Sequence, residues 1–386
     1  MKEKFLRELA DIQTGPFGSQ LHKEDYVADG TPIVTVEHLG NKMFSEQNLP
    51  RVSNTDKNRL KKYVLKQGDI VFSRVGSVDR CSYVDQKHDG WMFSGRCLRV
   101  RPTSEIDSEY LYYYFCLEET KQFVRNIAVG ATMPSINTKL LGEVVVTFPE
   151  LEQQKRISGI LSAIDSKIEV NQKINDNLEQ QAAALFSNLY NQSNTEVRYT
   201  DLIQILGGGT PKTGETAYWN GNIAFFTPKD VGTPYTFITE KTITEEGLSH
   251  CNSRLYPVNT VFVTARGTVG KVGLSGVPMA MNQSCYALVG KETHQLLVYF
   301  YTLKAVDRLK HKASGAVFDA ITTRDFDSEQ IMKLSDDDAK AFLCVAEPMF
   351  QEILNNSIEN LRLSTLRDFL LPKLMSGEID VSSVQL

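Results

Sequence analysis

The sequence predicts an α/β protein of the α+β kind, in which two globular domains alternate with two long helices. The first observation is a coiled-coil pattern from Pro149 to Tyr190, where core positions recur at alternating spacings of four and three residues. The second is the return of this pattern near the C-terminus, about 185 residues later. The third is that both intervening stretches contain the β-branched and aromatic runs that are typical of strands. We therefore expect an internal pseudo-twofold repeat.

The core stripe of the first predicted helix has a counterpart in the second. The first stripe consists of Ile157, Leu161, Ile164, Ile168, Asn171, Asn175, Leu178, Ala182, Leu185 and Leu189. The second consists of Phe342, Ala346, Met349, Ile353, Asn356, Asn360, Leu363, Arg367, Leu370 and Leu374. Each position of the second stripe lies 185 residues after its counterpart in the first. Only Arg367, which corresponds to Ala182, is neither apolar nor asparagine, so the match indicates an internal duplication.

Two asparagines interrupt each stripe at the same place. A buried asparagine weakens a coiled-coil seam but fixes its register, because its amide requires a polar partner. Two helices joined through a globular domain can run antiparallel, so we expect Asn171 and Asn175 to pair with Asn356 and Asn360. About 35 residues of paired helix would extend for roughly 50 Å. We expect the two domains to lie at opposite ends of this pair, at a separation set by helix length.

The pattern divides the chain into four segments. We expect a first domain over residues 1–148, a central helix over 149–190, a second domain over 191–334, and a C-terminal helix with a tail over 335–386. The predicted strands are Pro32–Glu37, Asp69–Ser73, Cys97–Arg101, Glu143–Phe148, Ile223–Thr227, Thr260–Ala265, Ser284–Val289 and Gln330–Leu334. The predicted shorter helices are Ser108–Arg125 and Leu296–Lys312.

Several residues predict where helices begin, bend or end. We expect Ser108 to be an N-cap, and Ser335 stands three residues before Asp338, the spacing of a capping box. Proline lacks a backbone N–H and clashes with the preceding turn of a helix. We therefore expect a kink or a fresh start at Pro348, and an end or a bend close to Pro372.

The composition is that of an ordinary globular protein. The chain has 386 residues and a formal net charge of −5, which argues against coating nucleic acid by bulk charge. The six cysteines form no Cys-x-x-Cys pair, so we expect reduced thiols and a cytoplasmic location. No apolar run approaches the roughly 18 residues that a membrane span requires. We therefore expect no membrane association.

The sequence lacks the catalytic motifs that would identify an enzyme. Residues 209–216 have the spacing of a phosphate-binding loop, but Glu215 takes the place of the lysine, and its carboxylate would repel phosphate. The chain contains no Pro-Pro pair, and so no amino-methyltransferase motif of the Asn/Asp-Pro-Pro-aromatic type. Its histidines and cysteines do not have metal-ligand spacing. We therefore predict no catalytic residue and no metal site.

Two motifs at the helix ends carry a family resemblance. The first helix opens with Pro149-Glu150-Leu151-Glu152-Gln153-Gln154-Lys155-Arg156-Ile157, and the second ends with Leu374-Met375-Ser376-Gly377-Glu378-Ile379. Combined with two dissimilar domains on similar helices, these motifs resemble the DNA-specificity (S) subunit of Type I restriction-modification systems. The resemblance covers essentially the whole chain.

The resemblance implies a non-catalytic subunit that binds double-stranded DNA at a bipartite site. Each globular domain would be a target recognition domain for one half-site. The helices would set the unread spacer and dock two modification (methyltransferase) subunits, and two restriction subunits would complete the enzyme. AdoMet, ATP and Mg²⁺ would belong to these partners, so no cofactor is expected in this chain.

Contacts with DNA phosphates require lysine or arginine on exposed loops, and base reading requires side chains that reach the groove edges. Arg74 and Arg266 are the leading candidates, because each ends a strand and precedes a glycine loop. The other candidates are Lys61, Lys62, Lys121 and Arg125 in the first domain, and Lys271, Arg308, Lys310 and Lys312 in the second. The alternative role is a structural salt bridge for the arginines and a solvated face for the lysines.

Two other classes of function stay open. A stand-alone DNA methyltransferase or nuclease would need the catalytic motifs that the sequence lacks, and methyl transfer by the purified chain alone would identify it. A protein–protein scaffold built of paired adaptor domains would show no sequence-dependent DNA binding in a gel shift with the modification subunits present.

Overall fold

The structure is a computed structural model that describes residues 1–16, 20–40, 42–232, 234–312 and 320–382. The chain divides into two units. Unit 1 comprises Met1–Glu169 and the residues from Leu361 onward, and unit 2 comprises Val170–Asn360. Each unit therefore contains one globular domain together with a part of each long helix, a division that differs from the four predicted segments.

The first domain is a mixture of short strands and helices. In chain order these are β1 (Lys2–Phe5), α1 (Leu6–Leu9), β2 (Ala10–Thr14), β3 (Tyr26–Val27), β4 (Thr31–Val34), β5 (Arg51–Val52), α2 (Asn54–Arg59), β6 (Ile70–Ser73), β7 (Cys81–Tyr83), β8 (Met92–Phe93), β9 (Cys97–Pro102), α3 (Ser108–Cys116), α4 (Glu118–Ile127), α5 (Thr138–Gly142) and β10 (Val145–Phe148). All four strands predicted here are present, with ends that differ by up to three residues.

The second domain follows the long helix α6 (Leu151–Gln192) and precedes the long helix α11 (Asp336–Ser376). Its elements are β11 (Thr195–Arg198), α7 (Tyr199–Leu202), β12 (Ile203–Gly207), β13 (Trp219–Phe226), β14 (Tyr235–Thr236), β15 (Lys241–Ile243), α8 (Glu245–Ser249), β16 (Val261–Thr264), β17 (Val272–Ser275), β18 (Met279–Met281), β19 (Cys285–Gly290), α9 (Gln295–Lys312), α10 (Thr323–Asp327) and β20 (Gln330–Lys333). The four strands predicted in this domain are also present.

The two domains share most of their sheet topology, and they differ in the added edge strands β3 and β14. The first has sheets in the order β2-β9-β6-β7 and β3-β5-β4-β8, and the second has β12-β19-β16-β17-β14 and β15-β13-β18. The pairs β4–β8 and β13–β18 are both parallel, and each domain is closed by an antiparallel pair of its first and last strands, β1–β10 and β11–β20. The repeat predicted from the helices therefore extends through the globular domains.

The repeat length changes along the chain, so an alignment of the two globular domains requires gaps. Counterpart strands lie 193 residues apart for β1 and β11, 191 apart for β6 and β16, and 185 apart for β10 and β20. Insertions and deletions are thus confined to the globular domains, while the 185-residue offset holds from the last strand into the helices.

The long helices pair antiparallel within each unit. In unit 1, Ile157 and Leu161 share a buried cluster with Leu371 and Leu374. In unit 2, Phe186 lies in a cluster with Phe342, Phe350 and Ile353. The start of α6 thus meets the end of α11 in unit 1, and the end of α6 meets the start of α11 in unit 2, so the two helices run in opposite directions. The predicted fold class, with two domains on an antiparallel helix pair and an internal repeat, is confirmed.

One predicted helix is interrupted in the structure. The segment predicted as a single helix over Ser108–Arg125 forms α3 and α4, because Leu117 has an extended backbone (φ −59°, ψ 135°). Its predicted N-cap is also shifted. The cap is Asp107, whose carboxylate accepts a hydrogen bond from the backbone N–H of Tyr110 at 2.8 Å. Ser108 is therefore the first residue of the helix, and its prediction as the cap is wrong.

The prolines of α11 do not end or restart the helix. The helix is continuous through Pro348 and Pro372, so the predictions of a fresh start at Pro348 and of an end near Leu371 are wrong. The alternatives, a kink at Pro348 and a bend near Leu371, stay predictions. Ala346 and Phe350, on either side of Pro348, are both buried in the core of unit 2. This packing offsets the roughly 3 kcal/mol that an interior proline costs.

The Ser335 cap of α11 is confirmed, since the backbone N–H of Asp338 donates to Ser335 Oγ at 3.1 Å. In the part of the chain that the structure describes, no helix is long and apolar enough to span a membrane.

Candidate nucleic-acid interface

Loops of the first domain meet where strand β6 ends. The backbone N–H of Arg74 donates to the carbonyl of Arg96 at 2.8 Å, and that of Gly76 donates to the carbonyl of Pro134 at 2.8 Å. Val129 and Ser135 exchange backbone hydrogen bonds of 2.9 and 2.8 Å, which close the third loop. We call residues 74–77, 94–96 and 129–135 the first-domain edge.

The second domain repeats this arrangement in the residues that the structure describes. The backbone N–H of Ala265 donates to the carbonyl of Ser284 at 2.8 Å, and that of Ile321 donates to the carbonyl of Ala265 at 2.9 Å. Arg266 forms an isolated bridge with Ala320. We call residues 265–268, 282–284 and Ala320 the second-domain edge. Residues 313–319, between Lys312 and Ala320, lie outside the described residues.

A glycine with positive φ turns the chain at both edges. Gly76 has φ 74° and Gly267 has φ 79°. A side chain at Gly76 would meet nothing within 4 Å, and one at Gly267 only the edge of Pro228 at 4.0 Å. Both positions have room for a side chain. Glycine is therefore favoured there by its positive φ, which other residues adopt only at a cost in free energy.

The equivalence of Arg74 and Arg266 predicted from the sequence is wrong by one residue. Arg74 directly follows β6, whereas Ala265 directly follows β16 and carries the equivalent hydrogen bonds. Arg266 thus corresponds to Val75. Because neighbouring residues of an extended chain point to opposite sides, the two arginines differ in environment. Arg74 is half-buried and its Nη1 donates to the carbonyl of Gly95 at 3.3 Å, whereas the Arg266 side chain is exposed.

Arg125 has carboxylate partners within the first domain. Its Nη1 donates to Asp79 Oδ2 at 2.5 Å, and its Nη2 pairs with Glu118. These ion pairs, with the Gln122 side chain, join α4 to the loop that follows the first-domain edge. We therefore interpret Arg125 as a structural residue, the alternative role considered from the sequence.

Arg308 and Lys312 share one buried partner in the second domain. Arg308 Nε lies 2.8 Å from Glu329 Oε1, and Lys312 Nζ pairs with the other oxygen of the same carboxylate. The Glu329 side chain is 0% exposed, so it depends on these two cations for compensation. We interpret both basic residues as a structural pair around Glu329.

The remaining basic candidates have no carboxylate partner among the described residues. Arg266, Lys61, Lys62, Lys271 and Lys310 are exposed and Lys121 is half-buried. Lys62 Nζ lies 4.8 Å from the ring centre of Tyr63. Arg266 lies on the second-domain edge and Lys271 follows it closely in the chain. These two residues are the best placed of the six to meet a ligand at that edge.

Sequence reasoning missed Arg96. This residue is exposed in the turn between β8 and β9, directly beside Arg74 on the first-domain edge. Strand β8 has only two residues, which is too short for its periodicity to be detected. A useful signal was the run Ser94-Gly95-Arg96 before the predicted strand at Cys97, since a glycine turn before a strand places the next side chain at a loop tip.

The asparagines of the two long helices face one another in unit 2. Asn171 Nδ2 donates to Asn360 Oδ1 at 2.9 Å, and Asn356 Nδ2 donates to Asn175 Oδ1 at 3.0 Å. Each asparagine of α6 is thus paired with an asparagine of α11, as the duplicated pattern predicts. Asn171 is 0% exposed, so its amide lies in the apolar seam. A shift of one heptad would separate both pairs, so we expect them to hold the register.

Replacing all four asparagines with leucine is expected to raise the free energy of unfolding by about 2 kcal/mol and to loosen the register, because apolar burial tolerates several alignments. Spin labels on the exposed residues Gln172 and Glu352 report the register. We expect one narrow distance distribution in the parent and a broadened one in the variant. Asn177→Leu on the exposed face is the control. An unchanged distribution in the fourfold variant would remove the register role.

Comparison with known proteins identifies the family. A family model described as the Type I restriction modification DNA specificity domain matches residues 1–180 and 191–333. The specificity subunit of the Type I restriction enzyme HindI from Haemophilus influenzae is 24% identical over 405 residues, covering 82% of this chain and 88% of the relative. The MjaIX specificity subunit from Methanocaldococcus jannaschii is 24% identical over 312 residues, covering 74% and 72%.

A solved structure shares the fold. The crystal structure of the S subunit of a Type I restriction-modification system from M. genitalium superposes with a TM-score of 0.58 at 16% identity, over 97% of this chain and 95% of that one. The family model covers well over half of the chain. This chain therefore belongs to the family of Type I restriction-modification DNA specificity subunits, and its function is the recognition of a DNA target. The predicted family is confirmed.

Proposed function

We propose that this chain recognises a bipartite DNA sequence, with each globular domain contacting one half-site and the paired helices setting the gap between them. The observation that supports this proposal is the pair of equivalent edges. Over the described residues they have equivalent backbone hydrogen bonds, but Arg74 and Arg96 on one correspond to Ala265 and Ser284 on the other. One scaffold that presents different side chains twice suits a ligand with two different short sequences.

The chain itself would be non-catalytic. We propose that two modification subunits dock on the helices and transfer methyl groups, and that two restriction subunits complete the assembly. AdoMet, ATP and Mg²⁺ would be bound by these partners. The six cysteines are free thiols, buried in three cases, which suits the cytoplasmic location that we propose.

Mapping of modified bases tests this function. We expect DNA from cells that express the chain with its modification subunits to carry methylated adenines in one motif of two short sequences separated by an unspecified gap. A continuous motif, or methylation without a motif, would contradict the proposal. Methyl transfer by the purified chain alone would favour the stand-alone enzyme, and sequence-independent or absent binding in a gel shift would favour the scaffold.

A further inference from the structure

We propose that Arg96 is a base-reading residue for the first half-site and that its guanidinium selects guanine. This assignment rests on the proposed function and names a residue for one of its two half-sites. Four observations support it: the position of Arg96 on an edge that the fold repeats, its lack of a partner among the described residues, the support beneath its turn, and the apolar residues beside it.

The first observation concerns position. The carbonyls of Arg96 and Ser284 accept equivalent hydrogen bonds of 2.8 Å from the residues that directly follow β6 and β16. The two side chains thus start from the same place in the two domains. Two related domains would acquire different DNA sequence preferences at such a position, because the backbone is the same and the side chain differs.

The second observation concerns partners. The other arginines of the first domain are all engaged within it, by carboxylates or by carbonyl groups; they are Arg7, Arg51, Arg59, Arg74, Arg80, Arg99, Arg101 and Arg125. The Arg96 guanidinium is exposed and has no such partner among the described residues. Its five N–H donors are therefore available to a ligand.

The third observation concerns support beneath the turn. Arg74 donates one hydrogen bond from its backbone to the carbonyl of Arg96 and one from its side chain to the carbonyl of Gly95, at 2.8 and 3.3 Å. The turn is thus held from within the domain by a half-buried residue. We assign Arg74 as a positioning residue for Arg96, since a base contact requires a side chain that starts from a fixed backbone.

The fourth observation concerns the surroundings. Val129 and Met133 lie on the same edge and are 55% and 64% exposed. Exposed apolar side chains beside an arginine suit the major groove, where arginine donates two hydrogen bonds to guanine O6 and N7 and apolar groups contact the methyl group of thymine. The second-domain edge presents a serine at this place, which makes no equivalent bidentate contact.

The test uses the full chain in complex with its modification subunits, and a pool of duplexes randomised at both half-sites. Arg96→Ser introduces the residue that the second domain has at this place. We expect it to lower the preference for guanine at one position of the first half-site by about tenfold or more, and to change the second half-site by less than about twofold. Lys66→Ala, an exposed basic residue before β6, is the matched control and should leave both unchanged.

The second domain provides an internal check of folding, because its half-site should be selected by every variant. Arg74→Ala should weaken the same preference for guanine without creating a preference for another base, since Arg74 acts through Arg96. Equal weakening of all sequences by Arg96→Ser would show a phosphate contact and overturn the assignment, as would an unchanged motif. A parent complex that selects no bipartite motif would overturn the proposed function as well.

Discussion

Replacing Arg367 with alanine is expected to lower the free energy of unfolding of unit 1 by about 3 kcal/mol. Arg367 on α11 donates from Nη1 to Asp165 Oδ1 on α6 at 2.8 Å, and the Tyr113 hydroxyl of α3 donates to Asp165 Oδ2 at 2.6 Å. The Asp165 side chain is 11% exposed. Without the arginine its carboxylate would stay buried with one neutral donor.

The state of Tyr113 supports this expectation. Burial, with the neighbouring Asp165 carboxylate, raises the pKa of the Tyr113 hydroxyl, so it stays a neutral donor and does not replace the lost cation. The loss is measured by urea unfolding with Trp91 fluorescence in a Trp219→Phe background, because Trp91 is the only tryptophan of unit 1.

Two variants make the Arg367 result specific. Arg362→Ala removes an exposed arginine from the same helix and should cost less than about 0.5 kcal/mol. The double variant D165L/R367M replaces the ion pair with apolar groups and should recover most of the lost stability, since both charges are removed together. A loss for Arg367→Ala no larger than for Arg362→Ala would contradict the structural role.

The double variant R308A/K312A is expected to destabilise unit 2 by about 3 kcal/mol, because it leaves the Glu329 carboxylate buried without a cation. Each single variant should cost less, since one cation would remain. The measurement is urea unfolding followed by Trp219 fluorescence in a Trp91→Phe background. The control is Lys310→Ala, an exposed lysine on the same helix between the two residues.

Adding Glu329→Gln to this double variant separates structure from DNA binding. A neutral amide removes the uncompensated charge, so most of the stability should return. If the two basic residues act only through Glu329, DNA affinity should return with it. Affinity that stays low in a refolded triple variant would show that Arg308 or Lys312 contacts phosphate directly.

The helices were predictable because their signal is local and occurs twice. A heptad stripe is visible over 40 residues without knowledge of the fold, and the shared asparagines predict both the duplication and the partner of each residue. Arg367, the exception in the stripe, is explained by Asp165 across the helix pair. In unit 2 the corresponding residues are Ala182 and Phe350, both part of an apolar cluster.

The rest depended on tertiary context. The break at Leu117 and the continuity of α11 through Pro348 follow from packing that no local pattern contains. The two-residue strand β8 exists because β4 pairs with it, and so the turn that presents Arg96 was not predicted. Arg74 and Arg266 look equivalent in the sequence because each closely precedes a glycine, whereas the backbone hydrogen bonds align Arg74 with Ala265.

The claim that helix length sets the distance between half-sites is tested most directly by lengthening both helices. One added heptad in α6 between Asn171 and Asn175, with one in α11 between Asn356 and Asn360, keeps the seam in phase and extends the pair by about 10 Å. With methylated bases mapped in the resulting complex, we predict unchanged half-sites and a gap longer by about three base pairs. Altered half-site sequences around an unchanged gap would contradict the account.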